Sequence, residues 1–364
     1  MKIVYLSSST IPSRTANSIH VMKMCQAFVK NGHEVALMAS PGQESQSDIW
    51  SAYAVDQCFS IKYIKRPNWG RFGSLVYGEH VARKVSQARP DLVYGRCPHS
   101  LALASRLNIP FIYEAHDLPK NFFRKRVEHF LFSRKNFRSL VVITEALKKA
   151  YLKNFSELKD VMVLVAHDGA DIMDQTVLPR PTSISDPMKV GYAGSLYPGK
   201  GMEIIAELSK VATEYEYHIV GGNGPLEKWS NTLGENVIFH GHVSPSQVYL
   251  YLIEFDVLLL PLLRKVQTSG GGDIGKYTSP MKLFEYMTAK RPIVASKLPV
   301  LEEVLENGKT ALLANPDKIY DWKNSLDRLN DDDQLRKLLA ENAFKELRNR
   351  YTWLGRSKAV LNQL

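Results

Sequence analysis

The sequence predicts an α/β protein built from two doubly wound, Rossmann-like domains, each with a parallel sheet covered by helices on both faces. Three observations favour this fold. The length of 364 residues suits about two domains of ordinary size. Short apolar runs alternate with helical patterns in both halves of the chain, as a parallel sheet requires. A segment rich in Pro, Ser and Thr, residues 175–187, interrupts that alternation once and is predicted to be a linker.

In the first half, strands are predicted at short apolar runs, and helices where apolar residues recur at helical spacing. The predicted strands are residues 3–6, 34–39, 91–95, 110–114, 140–144 and 161–166. The predicted helices are residues 18–30, 75–88, 100–107, 122–137 and 145–153. Asn31 and Gly32 end the first of these helices, because Asn and Gly are the usual residues past a helix C-terminus.

The same alternation restarts after the linker. The predicted strands are residues 190–193, 217–220, 237–239, 256–260, 293–295 and 312–313. The predicted helices are residues 201–212, 245–253, 281–289 and 299–305, with further helices from Asp317 onward. The sequence therefore divides into a first domain over residues 1–172, a linker over 173–188 and a second domain over 189–347. Ligands of doubly wound sheets bind at the carboxyl ends of the strands, so the motifs at those ends are the candidate sites.

The positive charge of the chain is confined to its first half. Residues 1–180 hold 25 Lys and Arg against 15 Asp and Glu, whereas residues 181–364 hold 22 of each, so the net charge of +10 belongs to the first half. This asymmetry predicts an anionic partner for the first domain, with nucleic acid, a phosphorylated acceptor and an acidic membrane surface as candidates. A composition of 45% hydrophobic and 23% charged residues excludes a disordered or low-complexity protein.

Cysteine usage and hydropathy indicate a reducing, aqueous compartment. Cys25, Cys58 and Cys97 have neither the paired spacing of a zinc site nor the number needed for a disulfide framework. No apolar run approaches 18 residues, and the apolar run near Met1 is interrupted by polar residues 7–10. We therefore expect a cytoplasmic protein, or one bound at most to the surface of the inner membrane face.

The glycine-rich segment of residues 191–201, GYAGSLYPGKG, is a candidate phosphate site. A strand ends there, Lys200 follows, and a helix starts at Gly201. Backbone N–H groups at the start of a helix bind phosphate well, and a lysine ammonium adds charge to such a site. The alternative interpretation is an ordinary strand-to-helix turn with an exposed lysine.

A second candidate anion site is the segment of residues 277–287, YTSPMKLFEYM. Ser279 suits the N-cap and Pro280 the first helical position, so the helix N-terminus can direct its N–H groups at an anion. Glu285 lies farther along this helix, where a carboxylate can accept both hydroxyls of a ribose. The alternative interpretation of Glu285 is a solvated glutamate on the face of the helix. The preceding glycine-rich residues 268–275 are predicted to form a mobile loop through which a ligand enters and leaves.

Two features of the first domain carry chemistry. His116 follows a predicted strand, where a histidine can hydrogen-bond sugar hydroxyls or transfer a proton near neutral pH. The alternative interpretation is a structural histidine. The segment from Lys120 to Arg138 has seven basic residues against one Glu, interleaved with Phe. It is either a helix with a solvated basic face or a surface for an anionic membrane. Its aromatics follow a helical stripe rather than an exposed platform, so nucleic acid is not expected.

These segments together resemble the retaining glycosyltransferases of family 4, which have the GT-B fold. The resemblance spans most of the chain and is strongest in SPMKLFEYM at residues 279–287, RPIVAS at 291–296, GKG at 199–201 and YTW at 351–353. It implies that the two domains face each other across a cleft. The first domain would bind the acceptor, and the second would bind a nucleotide sugar. The C-terminal segment, residues 348–364, would cross back to the first domain, with its last helix over residues 356–364.

Position by position, the resemblance implies that Lys200 binds the donor diphosphate, Glu285 holds the ribose and His116 contacts the transferred sugar; these are the candidate catalytic residues. The implied donor contacts are Gly194, Ser195, Lys200, Val243, Thr278, Ser279, Pro280, Met281, Lys282 and Glu285. The implied reaction is a retaining hexosyl or N-acetylhexosaminyl transfer to a glycan or lipid-linked acceptor, in cell-surface polysaccharide or glycoconjugate biosynthesis. Lysine and helix dipoles would replace a metal ion, so neither a metal nor another cofactor is expected.

The chain departs from the family pattern in three places. The first strand-to-helix loop lacks the usual pair of glycines, Ser195 stands where many members have Arg, and Tyr277 takes the place of a Glu. Arg14 and Asn17 in that first loop are candidate contacts, with Arg14 able to supply the missing charge. These departures leave two alternatives open: a GT-B nucleotide-sugar epimerase, or a non-catalytic protein that binds a nucleotide sugar.

Overall fold

The computed structural model describes residues 1–42, 48–65, 70–173, 184–222, 229, 232–267 and 273–362, and of residues 70–75 only the backbone. The chain folds as two units. The first consists of Met1–His167 together with Trp353–Leu364, and the second of Asp168–Thr352. Most of the predicted linker and residues 268–272 of the predicted mobile loop lie outside the described residues.

The first unit is built on a sheet of seven parallel strands in the order β3-β2-β1-β4-β5-β6-β7. The strands are β1 (Lys2–Ile11), β2 (Glu34–Pro41), β3 (Ser60–Tyr63), β4 (Leu92–Gly95), β5 (Phe111–Ala115), β6 (Phe137–Val142) and β7 (Met162–Val165). The helices are α1 (Ala16–Lys30), α2 (Ile49–Ala52), α3 (Gly70–Ala88), α4 (Pro98–Ala104), α5 (Phe122–Phe132) and α6 (Glu145–Asn154), with short 3-10 turns at Ser105–Leu107 and Ser156–Leu158. Strands β4, β5 and β6 are almost fully buried, as expected for a sheet that is covered on both faces.

Two predictions in the first half are wrong. The helix predicted over 122–137 ends at Phe132, and Phe137 begins β6 instead. Phe137 and Ser139 are buried with exposed Arg138 between them, so the period there is two and not 3.6. Sequence reasoning missed β3, because this edge strand is largely exposed and carries little apolar signal.

The second unit has six parallel strands in the order β10-β9-β8-β11-β12-β13. The strands are β8 (Lys189–Ala193), β9 (Glu216–Val220), β10 (Val237–Gly241), β11 (Val257–Leu260), β12 (Ile293–Ser296) and β13 (Leu312–Ala314). The helices are α7 (Met202–Val211), α8 (Pro245–Leu252), α9 (Met281–Thr288), α10 (Pro299–Glu302), α11 (Ile319–Asp331) and α12 (Asp333–Arg350). The strand order reverses direction at β8, and that is where doubly wound folds bind ligands.

The last helix, α13 (Trp353–Leu361), belongs to the first unit. It packs on α1, where the Asn31 side-chain amide donates to Leu354 O at 3.0 Å and to Ser357 Oγ at 2.7 Å. It starts three residues earlier than Arg356, the predicted start, and residues 348–350 finish α12 instead. The reason is the bridge between Thr352 and Ala170, which makes the chain extended between the two helices. Within the described part of the chain, no helix is both long enough and apolar enough to span a membrane.

Candidate functional site

In the second unit, the turns after β8, β9 and β10 lie side by side at the carboxyl edge of the sheet. The N–H of Gly194 donates to Val220 O at 2.8 Å, and the N–H of Gly221 donates to Gly241 O at 2.8 Å. A Cβ atom on Gly221 would lie 1.9 Å from Gly194 O, so only glycine allows the turns to approach this closely. Val243, the predicted base contact, is half-buried two residues after β10.

The loop that carries Lys200 is held by backbone contacts. Gly199 has φ of +79°, and a Cβ there would lie 2.0 Å from Lys265 O. Its carbonyl accepts from Leu263 N–H at 3.0 Å, and its N–H donates to Glu203 Oε1 at 2.9 Å. The loop is therefore fixed by glycine conformation and by a carboxylate from the first turn of α7.

Helix α9 begins at Met281, as the predicted range 281–289 has it, but its N-cap differs from the prediction. Its first helical residue is Met281 and its N-cap is Pro280, whereas Ser279 had been predicted as the cap. The buried Ser279 hydroxyl accepts a hydrogen bond from Asp168 N–H at 2.9 Å, so it is used to hold another part of the unit. Thr278 is buried beside it.

Two side chains of α9 fasten the helix to the end of β8. Tyr286 Oη accepts from Ala193 N–H at 2.8 Å. Lys282 Nζ donates to Tyr192 Oη at 2.9 Å and lies 4.2 Å from the centroid of that ring. A Cβ on Gly194 would lie 2.7 Å from Lys282 Nζ, so the glycine leaves room for the ammonium group. The sequence had assigned a donor role to Lys282, and its ammonium group reaches the same strand end as the glycine turn.

Lys200, Lys282 and Glu285 form a cluster that we call the lysine site. Burial lowers the pKa of Lys282 well below its usual value, the charge of Lys200 lowers it further, and Glu285 acts in the opposite direction. Burial also lowers the pKa of Lys200. Neither ammonium group has a salt-bridge partner among the residues that the structure describes. Two neighbouring, partly desolvated lysines are suited to binding a polyanion, because a bound anion favours the charged form of each.

Other predicted donor residues lie around the lysine site. Ser195 follows Gly194 and is half-buried, and its carbonyl accepts from Tyr192 Oη at 2.8 Å. Tyr192 therefore links the lysine of α9 to the turn after β8. Beside the undescribed part of the predicted mobile loop, Asp273 Oδ1 accepts from Val266 N–H at 3.0 Å and from Gly275 N–H at 2.8 Å. The end of that loop is thus a closed turn.

In the first unit, His116 follows β5 and is hydrogen-bonded to the last glutamate of that strand. His116 Nε2 lies 2.6 Å from Glu114 Oε1. Burial and the charge of Arg96 lower the pKa of His116 to about 4, while the bond to Glu114 partly opposes them. At neutral pH the imidazole is therefore uncharged. Since an ionised carboxylate only accepts, Nε2–H donates to it, and Nδ1 carries the lone pair.

Glu114 is the centre of a buried network that sequence reasoning missed. His20 Nε2 lies 2.9 Å from Glu114 Oε1, Tyr94 donates to the carboxylate, and Arg356 Nη2 lies 2.9 Å from Oε1. Burial alone would raise the pKa of Glu114, but Arg356 and the two histidines hold it well below its usual range. The available signal was an acid within the otherwise apolar strand FIYEA. No local pattern could have supplied its partner Arg356.

The ring nitrogens of His20 and His116 and the Glu114 carboxylate lie close enough together to ligate a metal ion. The carboxylate, however, already has the Arg356 guanidinium as its counter-charge. That guanidinium is only 2% exposed, so it cannot turn away into solvent. The charge of this cluster is therefore balanced by protein groups alone.

His116 and Glu114 line a cavity of about 400 Å³, which we call the histidine cavity. Its wall also includes Asn17, Arg96 and Arg124, among other residues. Asn17, a predicted acceptor contact, thus lies beside His116. Arg14, the other predicted contact, is exposed in the loop before α1 and is not part of the cavity wall.

Helix α5 presents aromatic and basic side chains on its outer face. Phe122 and Phe123 are 72% and 63% exposed, and Phe130 is 39% exposed. Arg126 lies over the ring of Phe122, with 4.9 Å from its Cζ to the ring centroid. Leu131 and Phe132 instead pack into the core. Part of the predicted basic and aromatic stripe therefore faces the sheet, and the exposed remainder faces solvent.

The inner face of α5 is anchored by ion pairs. Arg124 bonds Asp117 Oδ1 at 2.7 Å and Glu128 Oε1 at 2.9 Å, and Glu128 in turn accepts from Tyr113 at 2.9 Å and from Tyr151 at 3.1 Å. Both Arg124 and Asp117 also line the histidine cavity. One helix thus connects the cavity wall to the exposed aromatic face.

In comparisons with known proteins, each of the two units matches a glycosyltransferase family model. The family model described as Glycosyltransferase Family 4 matches residues 18–173, and the model described as Glycosyl transferases group 1 matches residues 187–332. An uncharacterised glycosyltransferase of Methanocaldococcus jannaschii is 22% identical over 259 residues, covering 69% of this chain and 67% of that protein.

Solved structures agree in fold. A glycosyltransferase from Rickettsia africae superposes with a TM-score of 0.75 at 15% identity, covering 99% of this chain and 97% of that one. The Anabaena protein HepE, solved in complex with UDP and glucose, superposes with a TM-score of 0.72 at 17% identity, covering 100% and 98%. At these identities the likeness shows the fold: two Rossmann-like units of the GT-B type.

Proposed function

Because the chain belongs to the glycosyltransferases with the GT-B fold, we propose that it moves a sugar from a nucleotide-sugar donor to a glycan or lipid-linked acceptor, with retention of configuration at the anomeric carbon. In such a transfer the bond from the anomeric carbon to the diphosphate breaks, and a bond to an acceptor hydroxyl forms. The hydroxyl proton passes to the departing diphosphate. The protein contributes mainly by positioning the reactants and stabilising the charge that develops on the leaving group.

The observation that carries this proposal is the lysine site of the second unit. Lys200 and Lys282 are neighbouring cations at the strand end where doubly wound folds bind phosphates. The N-terminus of α9 adds N–H groups and the positive end of a dipole. Glu285, on the same helix, accepts the ribose hydroxyls, and the segment around Val243 contacts the base. We therefore assign the donor to the second unit.

The charge in the lysine site also makes a metal ion unnecessary. A leaving diphosphate needs positive charge as its bond breaks, and two lysines and a helix terminus supply it from groups already in place. We propose on this basis that the enzyme is metal-independent, transferring a hexosyl or N-acetylhexosaminyl group. The neutral His116 offers Nδ1 as an acceptor for a sugar hydroxyl.

The acceptor is assigned to the first unit, and the outer face of α5 supports a membrane-bound acceptor. Exposed Phe122 and Phe123 with neighbouring Arg126 combine apolar side chains that insert at a lipid interface with charge that attracts anionic headgroups. We propose that this face binds the inner membrane surface from the cytoplasm. A lipid-linked acceptor places the reaction in cell-surface polysaccharide or glycoconjugate assembly.

The donor assignment is tested by replacing each lysine with an uncharged side chain of similar length. We expect Lys200→Met and Lys282→Met each to weaken UDP binding, measured by calorimetry, by about tenfold or more, since each removes one charge-assisted contact. Lys345→Met, at an exposed position of α12, is the matched control and should bind UDP as the wild type does. Wild-type affinity in both site variants would refute the donor site.

A panel of UDP-, GDP- and ADP-sugars in thermal-shift assays identifies the nucleotide, because a bound donor raises stability. The stabilising donor is then incubated with membrane extracts containing acceptor lipids. Transfer supports the proposal. Conversion of the nucleotide sugar into an isomer without transfer would indicate an epimerase, and binding without consumption would indicate a non-catalytic protein.

A further inference from the structure

The ionised groups on the wall of the histidine cavity are nearly all paired. The charge of Glu114 is balanced by Arg356 at 2.9 Å. Asp117 has Arg124 at 2.7 Å and Lys120 at 3.6 Å. His116 is uncharged at neutral pH because its pKa is lowered to about 4. Because these acidic and basic side chains neutralise one another, they contribute little net charge to the binding of a ligand.

Arg96 is different. It follows β4, lines the cavity, and has no ion-pair partner within the described part of the chain. Its Nη1 atom is shielded from solvent and has no hydrogen-bond partner among the described residues. Its charge is nevertheless felt in the site, because it lowers the pKa of His116. Arg96 as a whole is half-buried, so its shielded Nη1 is one donor that has lost water without gaining a partner, which is unfavourable by itself.

An unpaired buried donor in a native protein needs an explanation, and for a donor that lines a cavity a bound anion is one. An arginine favours oxyanions with two parallel acceptors, and phosphate is the common biological case. Asn17, in the first turn of α1, also lines the cavity; its Oδ1 has no hydrogen-bond partner among the described residues, and its amide NH2 group is the part that can donate to an anion. It therefore offers a second polar group, close to the positive end of the α1 dipole.

We propose that Arg96 binds a phosphate group of the acceptor in the histidine cavity, so that the molecule glycosylated by this enzyme is a phosphorylated one. The proposal rests on the function proposed above and specifies the acceptor class. A cavity of about 400 Å³ has room for a phosphate and part of the group attached to it. The source is a sugar phosphate or a prenyl phosphate, which share this chemistry.

The first experiment measures phosphate binding directly and does not depend on catalysis. Wild-type protein, Arg96→Gln and the exposed control Arg106→Gln are titrated with glucose 1-phosphate and with geranyl phosphate, with geraniol as the uncharged control. The nucleoside diphosphate that the thermal-shift panel identifies is kept at saturating concentration to occupy the lysine site. We expect Arg96→Gln to weaken binding of the phosphate probes by about tenfold or more, and Arg106→Gln to leave it unchanged.

The two probes distinguish the sources. Arg96-dependent binding of both shows that the phosphate itself is recognised, and binding of geranyl phosphate alone shows a prenyl-linked acceptor. Failure of both probes to bind the wild type, or equal binding by Arg96→Gln, overturns the proposal. UDP affinity is measured in the same variants. A wild type that binds geranyl phosphate but none of UDP, GDP and ADP would refute the donor assignment while leaving the phosphate site intact.

Stability separates a ligand-binding arginine from a structural one. If Arg96 is kept for a ligand, Arg96→Gln should unfold at the same temperature as the wild type or higher when no phosphate is present, because an unpaired desolvated charge has been removed. A lower unfolding temperature would show that Arg96 supports the fold, and would overturn the proposal.

Discussion

Breaking the buried ion pair between Glu114 and Arg356 on one side should strongly destabilise the first unit. Glu114→Gln keeps the shape of the side chain and removes its charge. The Arg356 guanidinium is 2% exposed and keeps its hydrogen bonds to His167 O at 2.9 Å and Ala166 O at 3.1 Å. It would remain bonded but without a counter-charge. Breaking a buried pair on one side costs about 3–5 kcal/mol, and we expect a loss near the lower end.

The loss should be local to the first unit, because α13 carries Arg356 and β5 carries Glu114. Hydrogen exchange of the α13 amides, measured by mass spectrometry at pH 7, reports the free energy of opening this helix. The matched control is Glu346→Gln, which removes the half-buried partner of the exposed Arg350 at 3.6 Å. That change should cost at most about 1 kcal/mol.

A double variant makes the prediction specific to the pair. Arg356→Met alone leaves Glu114 buried without its main counter-charge and should also be costly. The double variant Glu114→Gln, Arg356→Met leaves no buried charge, so it should be more stable than the sum of the two single losses predicts. A Glu114→Gln loss below about 1 kcal/mol, or strict additivity in the double variant, would refute the reasoning.

Three further predictions concern pH, the donor and the membrane. Because the pKa of His116 is about 4 in the folded protein and about 6.5 when unfolded, the unfolded state binds more protons between these values, and stability should rise with pH across that window. His116→Gln should flatten this rise in a urea-denaturation series, and an unchanged slope would contradict it. Since the pKa of Lys282 is lowered in the ligand-free site, UDP binding should raise it and take up protons, so calorimetry in buffers of different ionisation enthalpy should show net uptake that Lys282→Met reduces. Replacing Phe122 and Phe123 by Ser should weaken binding to anionic vesicles in a sedimentation assay by about tenfold, whereas Tyr320→Ser in the second unit should not, and equal effects of the two would argue against the α5 face.

The order of strands and helices was predictable because each buried strand or amphipathic helix carries its own local period. The predicted strand at 190–193 and helix at 281–289 differ from the structure by one residue at an end. The errors fall where that local signal is absent or shared. Edge strand β3 is exposed, and the segment of interleaved Phe and basic residues from Phe122 to Phe137 contains a helix, a turn and the start of a strand.

The candidate sites were predictable to the extent that they depend on strand ends. His116 and Lys200 follow strands, so their position in the site follows from topology. Contacts between distant residues were not predictable. Lys282 reaches Tyr192, 90 residues away in the chain, and Arg356 reaches Glu114, 242 residues away. Such pairs depend on packing geometry, and no local pattern records that.

The proposed donor site lies in the half of the chain that carries no net charge, and the local charge of its lysines is the physical reason for assigning it there. Binding a diphosphate requires charge at short range in a partly desolvated place, and Lys200 and Lys282 provide it without any net charge on their unit. Most of the surplus positive charge of the first half lies outside any such desolvated place. Arg124 and Lys120 are paired with acids, while Arg126, Lys135 and Arg138 are exposed, where salt screens them beyond about 10 Å. We therefore expect this exposed charge to draw an anionic surface towards the protein, and Arg96, which has no ion-pair partner among the described residues, to recognise one group at close range.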